Sequence, residues 1–172
     1  MARKNVKANI AASVLCGICA VVAAPVFAQS QAQGKLEVNG KAIAIKQVYA
    51  YAVEGFFDEK KQDVTVLLCS EALPPAAVRD SFARKALVDA GKLSCVQQVI
   101  NTEKQVINFE VRDKGFGDRP PGGGSTAHVF EAKSFDARNI AGRARTTSPE
   151  KSFDGVPYAY DITFSAPIEA KK

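Results

Sequence analysis

The sequence predicts an α+β fold: a mainly antiparallel sheet or sandwich of about eight strands with one amphipathic helix packed on it. Three observations carry that prediction. Apolar and polar residues alternate in many short runs, the hallmark of half-buried strands. Clusters of Gly, Pro, Asn and Asp separate the runs, as turns require. Only one stretch, "SEALPPAAVRDSFARKALVDAGK", repeats its apolar residues at helical spacing.

The first strands follow a leader. In "KLEVNGKAIAI" two short runs flank Asn39-Gly40, a dipeptide suited to a type I′ hairpin because both central positions need positive φ. Alternation continues through "IKQVYAYAV", with Ile45, Gln47, Tyr49 and Tyr51 expected on one face and Val48, Ala50 and Ala52 on the other. The charged connection "EGFFDEKKQ" carries an apolar Phe56-Phe57 tip. "DVTVLLC" is apolar almost throughout, which predicts a strand buried on both faces.

In the helical stretch, Pro74 and Pro75 suit the entry and Gly91 the position just past the end. Val78, Phe82, Ala86 and Ala90, with Leu87 alongside, form the expected apolar stripe. "LSCVQQVIN" and "QVINFEVR" follow as strands joined by "NTEK". Residues 113–126, dense in Gly and Pro, read as a mobile loop. "AHVFEAKSF", "NIAGRARTT" and "YAYDITFSAPI" then read as the last strands.

The N-terminus has a different character. Arg3, Lys4 and Lys7 precede an apolar run from Ile10 to Phe27, which ends in "VFA" before the polar "QSQAQG". A basic head, an apolar middle and small residues at the end are the parts of a secretory signal peptide. Residues 1–28 are therefore expected to be removed, with cleavage after Ala28. The Cys16-x-x-Cys19 pair falls inside this segment and is packaging, since a redox centre of that spacing needs a folded strand-to-helix setting. The expected mature organisation is a flexible leader over 29–34, one β-rich domain over 35–168 and a tail over 169–172.

Cleavage changes the charge argument. Of 23 Lys and Arg, three lie in the leader, so 20 remain against 18 Asp and Glu, and the formal charge falls from +5 to +2. That balance does not point to nucleic acid, and no membrane span remains in the mature chain. Export places Cys69 and Cys95 where thiols close into a disulfide. The strand–helix–strand order around them also suits a parallel crossover. In that arrangement the two cysteines sit at opposite ends of strands roughly 20 Å long, whereas a bridge needs Cα atoms within about 7 Å. The two arrangements exclude each other, and the bridge is favoured.

Residues with catalytic chemistry are sparse. His128 is the one histidine, with Ser125 three positions earlier in a loop, and any Ser-His mechanism has to use it. No G-x-S-x-G elbow occurs. The carboxylate sets Asp58/Glu59, Asp113/Asp118 and Asp154/Asp161 lie at turns and read as caps or solvated charge. One histidine and two bridged cysteines do not make a closed zinc set, "GFGDRPPGGG" lacks the lysine of a P-loop, and no cofactor is implied. Phe56, Phe57, Phe116 and Arg119 are the candidate recognition residues, carried on loops of a rigid scaffold.

The segments "LEVNGKAIAI", "VTVLLCSEALP", "GKLSCVQQVI" and "FDGVPYAYDITFSAPI" resemble a set of small exported bacterial β-rich proteins. In these a V-N-G-K hairpin opens the domain and a Y-x-Y-D-x-x-F-x-A-P-I strand closes it. The resemblance implies export and a β-rich domain, and it carries no catalytic or binding residue. The functional expectation is a non-enzymatic binding domain, periplasmic or secreted, meeting a protein or envelope partner. The alternatives are a small secreted hydrolase built on Ser125 and His128 with an acidic partner, or a structural envelope component.

Overall fold

The computed structural model describes residues 30–171. The expected signal peptide, its cleavage point after Ala28 and the Cys16-Cys19 pair lie outside the described residues. The chain forms strands β1 (Gln31–Val38), β2 (Lys41–Ile45), β3 (Gln47–Glu54) and β4 (Gln62–Cys69), then helices α1 (Pro75–Arg79) and α2 (Ser81–Asp89). Strands β5 (Cys95–Ile100), β6 (Val106–Arg112) and the two-residue β7 (Gly122–Gly123) follow. The order closes with β8 (His128–Phe135), β9 (Asn139–Thr146), the short β10 (Glu150–Lys151) and β11 (Pro157–Glu169).

Strand β11 joins everything. Its middle pairs antiparallel with β1 on one side and β9 on the other, giving the layer β2-β1-β11-β9-β8, with β10 also on β11. Its last residues, Ile168 and Glu169, run parallel to Ala50 and Tyr51 of β3, the edge of the second layer β3-β4-β5-β6-β7. The result is one curled, mixed sheet, antiparallel among the described residues in all but that one pairing. The main core lies between the layers, and contains Leu36, Val66, Val96, Val111, Ile140 and Ile162, all shielded from solvent.

Each layer is built by the patterns that predict it. Asn39 and Gly40 take φ of 49° and 76°, the I′ hairpin turn. β4 is buried on both faces: Val64, Val66 and Leu68 enter the main core, while Leu67 and Cys69 pack under the helices with Tyr51, Leu73, Val88 and Leu93. The leader expected at 29–34 is corrected by β1, which begins at Gln31. Polar residues suit this segment because it lies on an outer surface, with its backbone paired to β11 from Ser165 to Ile162. Gly34 makes the close approach possible, since a Cβ there would come within 2.2 Å of the Asp161 carbonyl oxygen. The face assigned to Ile45 is also corrected. The chain turns from one layer to the other at Lys46, whose N–H donates to the Cys69 carbonyl, so Ile45 joins Val48 and Ala50 in the main core instead of Tyr49 and Tyr51.

The single helix becomes two, and its buried face changes. At Asp80 the backbone is extended, and the carboxylate accepts from the Phe82 and Ala83 N–H groups. Asp is a poor helix-interior residue and one of the best caps, worth about 1 kcal/mol there. The break resets the helical phase. Phe82, expected in the apolar stripe, is 83% exposed, Ala86 and Ala90 also face solvent, and Val88 and Arg84 turn inward. The buried Arg84 guanidinium donates to the Ala77 and Val78 carbonyls that end α1 and to Gln97 Oε1. Those acceptors compensate the desolvation of its charge. Gly91, with φ of 67°, ends α2, its N–H donating to the Val88 carbonyl.

Cys69 and Cys95 are disulfide-bonded across directly paired, antiparallel positions of β4 and β5, with Cα atoms 4.2 Å apart. The helices are therefore an excursion between two neighbouring antiparallel strands, and the parallel crossover is excluded. Closing a loop with a sequence separation of 26 is worth about 3.5 kcal/mol on the chain-entropy model. Replacing both cysteines by alanine is expected to lower the unfolding free energy by about that amount in urea titrations.

Candidate functional site

Two places concentrate chemistry: the β3–β4 turn at one end of the second layer, and a polar chain inside the core. The turn is tied shut from within. Gly55 N–H donates to the Lys61 carbonyl, Lys61 N–H to the Asp58 carbonyl, and Lys60 N–H to Asp58 Oδ1, at 3.0, 2.9 and 3.0 Å. Asp63, a buried carboxylate at the foot of β4, accepts from Phe56 N–H at 2.9 Å. The Phe56 and Phe57 rings meet edge to face, 5.0 Å apart, and each is 78% exposed. The rings therefore project from a turn whose backbone is bonded on both sides of them.

The other candidate recognition residues part company. Phe116 is corrected: it is buried in the main core, edge-on to Tyr158. The segment 113–126 that carries it is not a free loop. Asp113 accepts from Gly115 N–H at the start of a one-turn 3-10 helix, Lys114–Phe116, and Gly122 and Gly123 pair with β6. Once the backbone is held at both points, the one large apolar side chain between them has a core to enter. Arg119 does remain exposed. It lies over the Phe153 ring at 4.9 Å and faces Asp154 at 3.6 Å. Sequence reading passed over Phe153, 83% exposed, because it stands alone among turn residues.

His128 sits inside the molecule, 3% exposed and stacked on Phe109 with ring centroids 3.4 Å apart. Its Nδ1 meets the Tyr160 hydroxyl at 2.8 Å and its Nε2 the Tyr158 hydroxyl at 3.2 Å. Gln98 Nε2 donates to the same Tyr160 oxygen and reaches the Val129 carbonyl. A carbonyl only accepts, so the amide nitrogen belongs on that side, and the Tyr160 proton then goes to His128 Nδ1. This assigns the Nε2–H tautomer, which donates to Tyr158. The Y-A-Y spacing of β11 puts both tyrosines on one face, and β8 delivers the histidine opposite them.

This geometry does not assemble Ser125 with His128. Both ring nitrogens face tyrosines, and Ser125 Oγ accepts from Ala127 N–H. The carboxylate sets are likewise separate. Asp58 and Asp113 cap turns, Asp154 faces Arg119, and Asp161 pairs with Arg143 Nε at 2.7 Å. The Arg143 guanidinium holds the Asp161 carboxyl below the usual carboxylate range. Among the described residues no three His, Cys, Asp or Glu side chains gather as a metal site would need. No helix among them is long and apolar enough to cross a membrane.

Burial lowers the His128 pKa to about 4 from 6.5 and pushes Tyr158 up to about 12. The unfolded chain takes up the histidine proton as pH falls through 6.5, whereas the folded chain resists until about pH 4. Stability is therefore lost on acidification across that window and levels off below it. Between pH 7.5 and 4.5 the loss is about 2.5 kcal/mol from this group. Urea titrations should show that extra drop in the wild type and not in His128→Gln, the carboxylate contribution being common to both. No family model, curated protein or solved structure matches this chain.

Proposed function

We propose that the protein is an exported, non-enzymatic binding domain that engages a partner protein through the Phe56-Phe57 turn. The observation that carries this reading is the pair of adjacent phenyl rings held outward by four hydrogen bonds at a hairpin end. Leaving a phenylalanine in water forgoes about 2 kcal/mol of burial, and rigid aromatic anchors are what dominate protein interfaces. The turn has already lost its conformational entropy, so docking does not have to supply it. Export is supported by the leader pattern of residues 1–28 and by the closed Cys69–Cys95 bridge, which an oxidising compartment favours.

Two measurements test the reading. The purified protein is expected to retain a stoichiometric partner from periplasmic extract, and Phe56→Ala with Phe57→Ala to weaken that complex by at least about 100-fold. Phe153→Ala, at a separate exposed ring, should leave it intact. Equal capture by the double variant would refute the anchor role. Intact-mass spectrometry of the native product should find a chain beginning at Gln29 with one disulfide; a retained leader would overturn export.

A further inference from the structure

A second surface, at the opposite end of β4 from the aromatic turn and hence about 25 Å away, has a different chemistry. Among the described residues strand β2 is the outer strand of its layer and pairs only with β1. The two-residue hairpin sets which of its groups remain free. Val38 and Lys41 flank the turn as a hydrogen-bonded pair, so the bonded positions of β2 are Lys41, Ile43 and Ile45. Ala42 and Ala44 therefore aim both N–H and C=O away from β1, and no other backbone bond occupies them among the described residues. The edge opens onto a cleft of about 650 Å³ between β2, the start of β5 and the 3-10 turn after β6.

The cleft is positive. Lys41 comes from the edge strand and Lys46 from the turn just after it, while Lys92 and Lys114 come from the far wall. Lys46 faces Glu71 at 3.4 Å, but Lys41, Lys92 and Lys114 have no carboxylate partner among the described residues. The Lys114 side chain lies across Gly91, and Lys92, the next residue in the chain, lines the same cleft. The one other acid in the wall, Asp113, is committed to Ser94 Oγ and Gly115 N–H. Lysines on an edge strand guard against pairing between copies, and here they would face each other across a twofold axis. That purpose does not account for Lys92 and Lys114, which are not on the edge.

We infer that the β2 edge is a strand-addition site for an extended acidic segment of another protein. Its backbone would bond to Ala42 and Ala44 while its carboxylates meet Lys41, Lys92 and Lys114. A second copy of this chain is disfavoured by the same lysines, and a mobile anion would use the charges and leave the four backbone groups unmet. The partner adds to the layer by the hydrogen-bond grammar that joins β1 to β2.

The probe is an acetylated, fluorescently labelled peptide alternating Glu and Val, read by anisotropy. Binding should weaken steeply with salt, shift the Ala42 and Ala44 amide resonances and slow their hydrogen exchange. Ala44→Pro removes one outward N–H and leaves the β1 pairing intact, as edge prolines do; it should weaken binding about tenfold. Lys92→Glu with Lys114→Glu should weaken it by at least as much. On wild-type protein, a peptide N-methylated at alternate residues should fail to bind, which tests the backbone role without any variant. The Phe56 and Phe57 substitutions should leave peptide affinity unchanged, separating this site from the aromatic turn. No binding of the plain peptide, undiminished binding by Ala44→Pro or by the N-methylated peptide, or self-association that Ala44→Pro abolishes would each overturn the proposal.

Discussion

The pairing of β11 on both sides is the constraint from which the architecture follows. Its residues Asp161 to Ser165 are bonded to β1 along one edge and β9 along the other, so this stretch has no freedom to slip. A one-residue shift would send Tyr160, Ile162 and Phe164 to solvent and bring Asp161 and Thr163 into the core. Because the strand then runs on to Ile168, it carries its register into the second layer, where it borders β3. Tight approach between neighbouring strands is needed on the β1 flank and again one strand further out on the other side, and glycine provides it in each place. At Gly34 of β1 a Cβ would strike the β11 backbone, and at Gly142 of β9 it would fall 2.3 Å from the Glu131 carbonyl oxygen of β8, the strand beyond β9.

The same strand explains why polar groups are tolerated at the centre. Tyr158 and Tyr160 arrive at fixed spacing, and their hydroxyls need partners once desolvated. His128 and Gln98 meet that need from β8 and β5, producing a chain in which three hydroxyl and ring groups are satisfied. It is not complete, because Gln98 Oε1 has no partner among the described residues, a cost of about 1–3 kcal/mol. The cost is set against the four interactions that the chain makes and the stacking of His128 on Phe109. A buried histidine of this kind is a fixture of the core. Exposing it to a substrate would require separating the two layers.

Periodicity made most strands legible, because each has one face in a core and period-two alternation records that directly. The double burial of β4 was legible for the same reason, since both of its faces are covered. The Cys69–Cys95 pairing was expected from export, and distance then decided the strand order, because only an antiparallel neighbourhood brings the end of β4 to the start of β5. What failed was reading continuity where the chain changes direction. Lys46 and Asp80 each interrupt a pattern for one residue, and both Ile45 and Phe82 changed face as a result. A single-residue break leaves the composition of a window almost untouched, so no moment or spacing argument detects it. Phe116 was misplaced for the converse reason. Its neighbours are all loop formers, and only the tertiary pairing of Gly122 and Gly123 with β6 shows that the segment is anchored.

The contrast between Phe116 and the Phe56-Phe57 pair locates where function is free to reside. Phe116 lies against Tyr158 and Val38's neighbourhood at the end of the core, so changing it disturbs the packing that positions β11. Phe56 and Phe57 lie beyond the last rung of the β3–β4 ladder, Glu54 with Gln62, largely exposed and ring against ring. Removing them takes nothing from the core, while the buried Asp63 and the turn bonds keep their backbone in place. The β2 edge is isolated in the same sense, since Ala42 and Ala44 present groups that β1 does not use. Both surfaces are thus decoupled from stability by topology, one beyond a ladder and one outside it. A scaffold locked by a two-sided strand and a disulfide can vary such positions at little thermodynamic cost, and this freedom is what a binding module requires.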